Sequence, residues 1–216
     1  MPDKKIDKLI FRGWGIALLV LTLSLLFAGV APQKAEALDN NRIIDESIYY
    51  NKNSMTEAQI QAFLESKNSY LQSYVIPNDV FIGPSPGQNV RGWRASSVIY
   101  WCAQWNGLNP KVILVTLQKE QSLVTSPTLP LGQYSLDWAM GYAVPESSER
   151  DYRFQGFAIQ VAWGSLSLRN RSDWAIAHSP NNVLGNTYWV GITIEIYGQS
   201  VCLSNGPKGA LVVYTP

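Results

Sequence analysis

Charge is scarce in this chain of 216 residues: Asp, Glu, Lys and Arg together make up 15% of it. So low a share argues against a disordered segment and against a coiled coil. Neither sign is in excess. The formal net charge is +1, which provides no basic surface to neutralise a phosphate backbone, so nucleic acid is not an expected partner. One histidine and two cysteines exclude most protein-built zinc sites. There is no repeat, heptad, P-loop, dinucleotide-binding glycine fingerprint or paired metal-ligand motif. The length fits one ordinary domain, or one domain with appendages. Aromatic residues, by contrast, are plentiful: 8 Trp, 11 Tyr and 6 Phe. That density suits a packed core, and it suits the apolar faces of sugars as well.

The opening reads as a targeting segment. Lys4, Lys5, Lys8 and Arg12 form a basic start, no charge follows from Gly13 to Gln33, and Ala35-Glu36-Ala37 has a small-x-small pattern. This predicts a signal peptide over 1–37, cut after Ala37. The rival expectation is an uncleaved membrane anchor, since the apolar run approaches the ~20 residues that span a bilayer. Either way the remainder is exported, secreted or held in the cell envelope; with the segment cut, the only membrane contact is the transient one through the signal peptide. Removing 1–37 takes away Lys4, Lys5, Lys8, Arg12 and Lys34 along with Asp3, Asp7 and Glu36, leaving a net charge of −1. An exported compartment favours a Cys102–Cys202 disulfide, with two buried thiols as the alternative.

Helical patterns outnumber strand patterns. Ser54-Met-Thr-Glu57 has the form of a capping box ahead of a helix over 55–67. Residues 76–89 carry three prolines and two glycines, and predict a loop between an N-terminal extension (38–89) and a main domain (90–216). A helix over 92–106 puts Val98, Trp101, Cys102 and Trp105 on one face and stops at Gly107. Burial in the core is the favoured role for those tryptophans, with sugar binding as the alternative. Asn109 and Pro110 cap a helix over 110–124. Ser135–Tyr142 fits a short helix or turn, and 146–153 a charged surface loop. Helical spacing returns over 155–169. Residues 188–197 and 210–214, rich in Val, Ile and Tyr, are short strands or an extended tail.

On the 110–124 helix, Glu120 falls between Leu117 and Val124, in the middle of the apolar face. A carboxylate there needs a reason. One is structural, with hydrogen bonds or Arg91 or Arg94 satisfying it. The other is catalytic: burial disfavours the charged form and keeps a proton available for general acid work.

The stretch from Asn109 to Thr125 closely resembles a segment of secreted bacterial proteins with a lysozyme-like domain, related to soluble lytic transglycosylases and goose-type lysozymes. The resemblance extends to Asn40–Asp45, Met55–Leu64, Ala139–Tyr142, Gly156–Gln160 and Ala210–Pro216. It implies a mainly α, lysozyme-like (α+β) domain over 90–216 with a helical N-terminal extension and short C-terminal strands or an extended tail. It also implies that Glu120 is the general acid. Phe157 and Gln160 would line the sugar cleft, Tyr214 would contact it, and neither metal nor cofactor would be needed. Tyr142 offers a ring face and a hydroxyl to the same cleft. Asp137, just before Ala139–Tyr142, is the candidate second carboxylate, against a plainer role in capping or at the surface. A single acid suffices where the substrate's own N-acetyl group assists. His178 is expected in a surface turn.

The function expected on this basis is cleavage of the β-1,4 bond between N-acetylmuramic acid and N-acetylglucosamine, by a monomer acting on the glycan strands of peptidoglycan. The product would be anhydro or hydrolysed. Two other classes compete with it: a glycan- or wall-binding module without turnover, and a structural envelope protein.

Overall fold

The computed structural model describes residues 43–145, 149–177, 190–191, 193–196 and 199–214, with side chains except at 194–199 and 212–214. The expected signal segment 1–37 and His178 lie outside the described residues. No helix among the described residues is long and apolar enough to cross a membrane.

The architecture is mainly α, as expected. Helix α1 (Glu46–Tyr49) leads to α2 (Glu57–Ser66), a 3-10 turn (Tyr70–Gln72) and a hairpin of β1 (Phe81–Ile82) with β2 (Gln88–Asn89). Next come α3 (Ala95–Asn106), α4 (Pro110–Gln121), α5 (Gln133–Asp137) and a second 3-10 turn (Tyr152–Phe154). The long α6 (Phe157–Ala177) follows, then β3 (Thr193–Ile196) antiparallel to β4 (Gln199–Cys202), then α7 (Gly206–Tyr214). Helix α3 packs against α2, α4 and α6, and α6 packs against α7.

Local chemistry accounts for most boundaries. The cap of α2 lies two residues later than the sequence pattern suggests. The Thr56 hydroxyl accepts from Gln59 N, and the Gln59 side chain accepts from Thr56 N, so the reciprocal pair is Thr56 with Gln59. Gly107 closes α3 in the left-handed conformation. Asn109 Oδ1 accepts from Lys111 N, and Pro110 takes the first helical position, where no amide donor is missed.

The segment expected to stand apart as an extension shares the common core. Tyr49, Ile60, Leu64, Leu71, Ile76 and Ile82 cluster with Val98, Ile99, Ile113, Leu117, Val161 and Leu168. Burial of each such aliphatic side chain is worth roughly 1.5–3 kcal/mol. Residues 210–214, expected as strand or extended tail, belong to α7 instead. Buried Lys208 on α7 donates from Nζ to Cys202 O at 2.9 Å, which ties α7 to the end of β4.

The expected disulfide is absent: Cys102 and Cys202 are not bridged. Cys102 belongs to the enclosed core cluster and Cys202 does not, so the two sulfurs sit in different environments. Burial pushes the Cys102 thiol well above its ordinary range, which leaves it a poor nucleophile.

Candidate functional site

Helix α4 ends sooner than its pattern suggests, and this changes the setting of Glu120. Ser122 adopts the left-handed conformation at φ 54°. Ser122 N donates to Gln118 O, the bond of an αL helix stop, and Leu123 N donates to Leu117 O at 3.3 Å. The Gln118 side chain accepts from Val124 N and Thr125 N, folding the chain away from the helix axis. Val124 is therefore off the helix, and Glu120 lies in the last turn rather than mid-face. Its side chain is 23% exposed, and Lys119 Nζ lies 3.4 Å from Oε1. The structure thus corrects the expectation of a carboxylate buried in an apolar face.

The 139–142 turn packs against the Glu120 side chain. Gly141 has φ +68°, and a Cβ there would lie 2.7 Å from Glu120 Oε2. Only glycine permits both that backbone and that approach. Gln160 holds the turn in place. Its Oε1 accepts from Met140 N (3.3 Å) and Tyr142 N (3.0 Å), and its Nε2 donates to Tyr142 O (2.9 Å) and Phe154 O (2.7 Å). Gln160 is fully buried, with both ends of its amide committed to the chain itself.

Two more expected site residues also have structural roles. Phe157 is buried and meets the Tyr74 ring edge-on at 5.5 Å. Asp137 ends α5, where Oδ1 accepts from Gln133 Nε2 and Oδ2 from Gln155 Nε2. Both carboxylate oxygens are thereby bonded, which suits a positioning role better than proton transfer. The Tyr214 side chain lies outside the described residues.

Tyr142 is different. It is half-buried, stacks on Trp163 at 6.3 Å with an interplanar angle of 18°, and meets Phe154 edge-on at 5.0 Å. Trp163, on α6, is 44% exposed. Across a groove lined by both Trp163 and Trp105, aromatic rings continue along α3. Trp105 lies 6.1 Å from Trp101, and Trp101 lies 6.5 Å from Trp93. Trp101 is 40% exposed, so the expectation that it sits in the core does not hold. The helical period placed Trp101 and Trp105 near the buried Val98 and Cys102, but the residues packed on α3 leave the tryptophan edge uncovered.

The outcome is a run of rings from Trp93 to Tyr142, divided by the groove between Trp105 and Trp163, near a carboxylate that is mostly covered. Contiguous exposed apolar surface of this kind marks an interaction site. Among the described residues no group of three or more His, Cys, Asp or Glu side chains could hold a metal ion.

A family model, LasA, N-terminal domain, matches residues 41–179. That span includes Glu120, Gly141, Gln160 and every ring of the aromatic run. No curated protein and no solved structure matches. LasA is a secreted staphylolytic protease, active on the cell wall as a peptidase. This overturns the expected glycosidase: the family match points away from a lytic transglycosylase or muramidase, and with it goes the role of Glu120 as acid at a sugar bond.

Proposed function

The chain belongs to the LasA N-terminal domain family, and on that footing we propose that it is a peptidoglycan-binding domain, serving wall degradation of the peptidase kind by holding the wall rather than by cutting it. The observation that carries this is the exposure of Trp101 and Trp163 at separate points of one aromatic run. Exposed tryptophans in a contiguous patch are frequent anchors of binding energy. Two of the chain's reactive side chains are committed to the fold rather than open for peptide cleavage. The Cys102 thiol is enclosed and hard to ionise, and the Asp137 carboxylate is spent on two glutamine amides. Export agrees with the basic and then apolar opening of the sequence, and with a secreted relative.

The test is co-sedimentation with purified sacculi. Trp101→Ala combined with Trp163→Ala should weaken wall binding about tenfold or more, the equivalent of ~1.4 kcal/mol. Circular dichroism should show an unchanged fold. Wild-type sedimentation by the double variant would remove the aromatic surface from the account.

A further inference from the structure

The groove between β1 and helices α3 and α6 has the makings of a small-molecule site within that surface. It encloses about 360 Å³, at the lower end of the ~300–1,000 Å³ range of ligand pockets. Its walls include Phe81, Gly83, Trp105, Asn106, Trp163 and Leu166. Gly83 brings the hairpin onto Trp105: a Cβ there would lie 2.7–2.9 Å from the six-membered ring. Phe81 is 66% exposed on the opposite lip.

The polar groups are few and open. Asn106 Nδ2 donates to Cys102 O (3.0 Å) and Ser165 Oγ (2.9 Å). Those bonds fix the amide and leave Oδ1 without a donor among the described residues. The indole N–H groups of Trp105 and Trp163 likewise have no acceptor among them. No Asp, Glu, Lys or Arg lines the groove, so a charged ligand would find no counter-charge. What fits is a neutral ring with apolar faces, at least one amide N–H to donate, and hydroxyls to accept.

We infer that this groove holds one N-acetylated pyranose of a peptidoglycan glycan strand. The ring packs against the aromatic walls, its acetamido N–H donates to Asn106 Oδ1, and its hydroxyl oxygens accept from the indoles. This rests on the wall-binding reading and names its ligand and place. No bond is made or broken.

The experiment is titration of the full chain with chitotriose, followed by tryptophan fluorescence and by saturation-transfer NMR. Cellotriose, which lacks acetamido groups, is the control. Chitotriose should bind, and cellotriose should bind at least about tenfold more weakly, as expected for a lost buried polar pairing. Ala162→Phe fills the groove from α6, and Phe81→Ala removes its exposed lip. Each should weaken chitotriose binding about tenfold, with the melting temperature of the Phe81 variant unchanged. Equal binding of the two sugars, or wild-type binding by both variants, overturns the proposal. So does displacement of signal at the groove by a stem peptide but not by chitotriose. If sacculi still sediment the protein in any of these cases, only the groove assignment falls. If sedimentation fails too, wall binding falls with it.

Discussion

Gln160 illustrates how a residue can be essential to a site without facing it. Its amide accepts from two backbone N–H groups and donates to two carbonyls, and all four bonds hold segments on either side of Gly141 and at the end of the second 3-10 turn. Replacing it with Leu keeps the bulk and orphans four buried or half-buried backbone groups. Unmet groups of this kind cost ~1–3 kcal/mol each, but relaxation and water recover part, so a total near 3 kcal/mol is expected. Gln160→Leu should lower the melting temperature by roughly 6–12 °C for a domain of this size. The Gly141 turn should also loosen, seen as faster amide exchange at Tyr142. A melting temperature within a degree or two of wild type would show that the network is dispensable. The sequence placed Gln160 near Tyr142 through a motif, but the motif could not say which way the amide faces. The environment of Glu120 was equally hidden, because it depends on Ser122 adopting φ 54°, a conformation that serine seldom takes and that spacing does not reveal.

Among the elements, helices with strong local signals were the legible ones. Asn109-Pro110 and Gly107 mark their boundaries by chemistry internal to a few residues. The C-terminal segment was harder. Val212, Val213 and Tyr214 favour strands intrinsically, yet they close a helix whose position is set by packing on α6. That packing turns on Gly206. A Cβ there would lie 2.6 Å from Ile176 Cγ1 and 2.7 Å from Ser172 O. The isoleucine can rotate, but the carbonyl belongs to the α6 backbone and cannot. Gly206→Ala should therefore push α7 off α6, at a cost of ~1–3 kcal/mol for overpacking. Protection of α7 amides should drop before that of α3. Adding Ile176→Ala should recover only part of the loss, since the clash with Ser172 O persists. Complete recovery would place the whole clash on the side chain. The exposed indole of Trp101 was misjudged for a related reason. A helical period groups residues on a face but does not say how far the neighbouring elements extend over it.

For the molecule as a whole, Tyr49 joins the first described helix to the longest one. Its ring is buried, and its hydroxyl donates to Leu168 O at 3.1 Å across 119 positions of sequence. Burial raises its pKa well above the ordinary tyrosine value of about 10, and the neighbouring Tyr50 and Asp173 add to the effect against an opposing Arg169. The sign follows directly. The folded chain keeps this proton at a pH where the unfolded chain gives it up, so the stabilisation is fully present below pH ~10 and is lost progressively above it. Stability should be flat through pH 8–9 and then fall by up to ~1.4 kcal/mol per pH unit from this group alone. Tyr50 and Tyr74, also raised chiefly by burial, add to the slope. Tyr49→Phe separates the contributions. At pH 8 it should be less stable by ~1 kcal/mol, because Leu168 O loses its donor. Above pH 10 its stability should fall less steeply than wild type, so the two curves converge. Urea unfolding at half-unit steps from pH 8 to 11 measures both slopes. Parallel decline of the two proteins would mean that alkaline unfolding is driven by groups other than Tyr49, and equal stability at pH 8 would mean that the Tyr49 hydroxyl does not help hold the first described helix to the core.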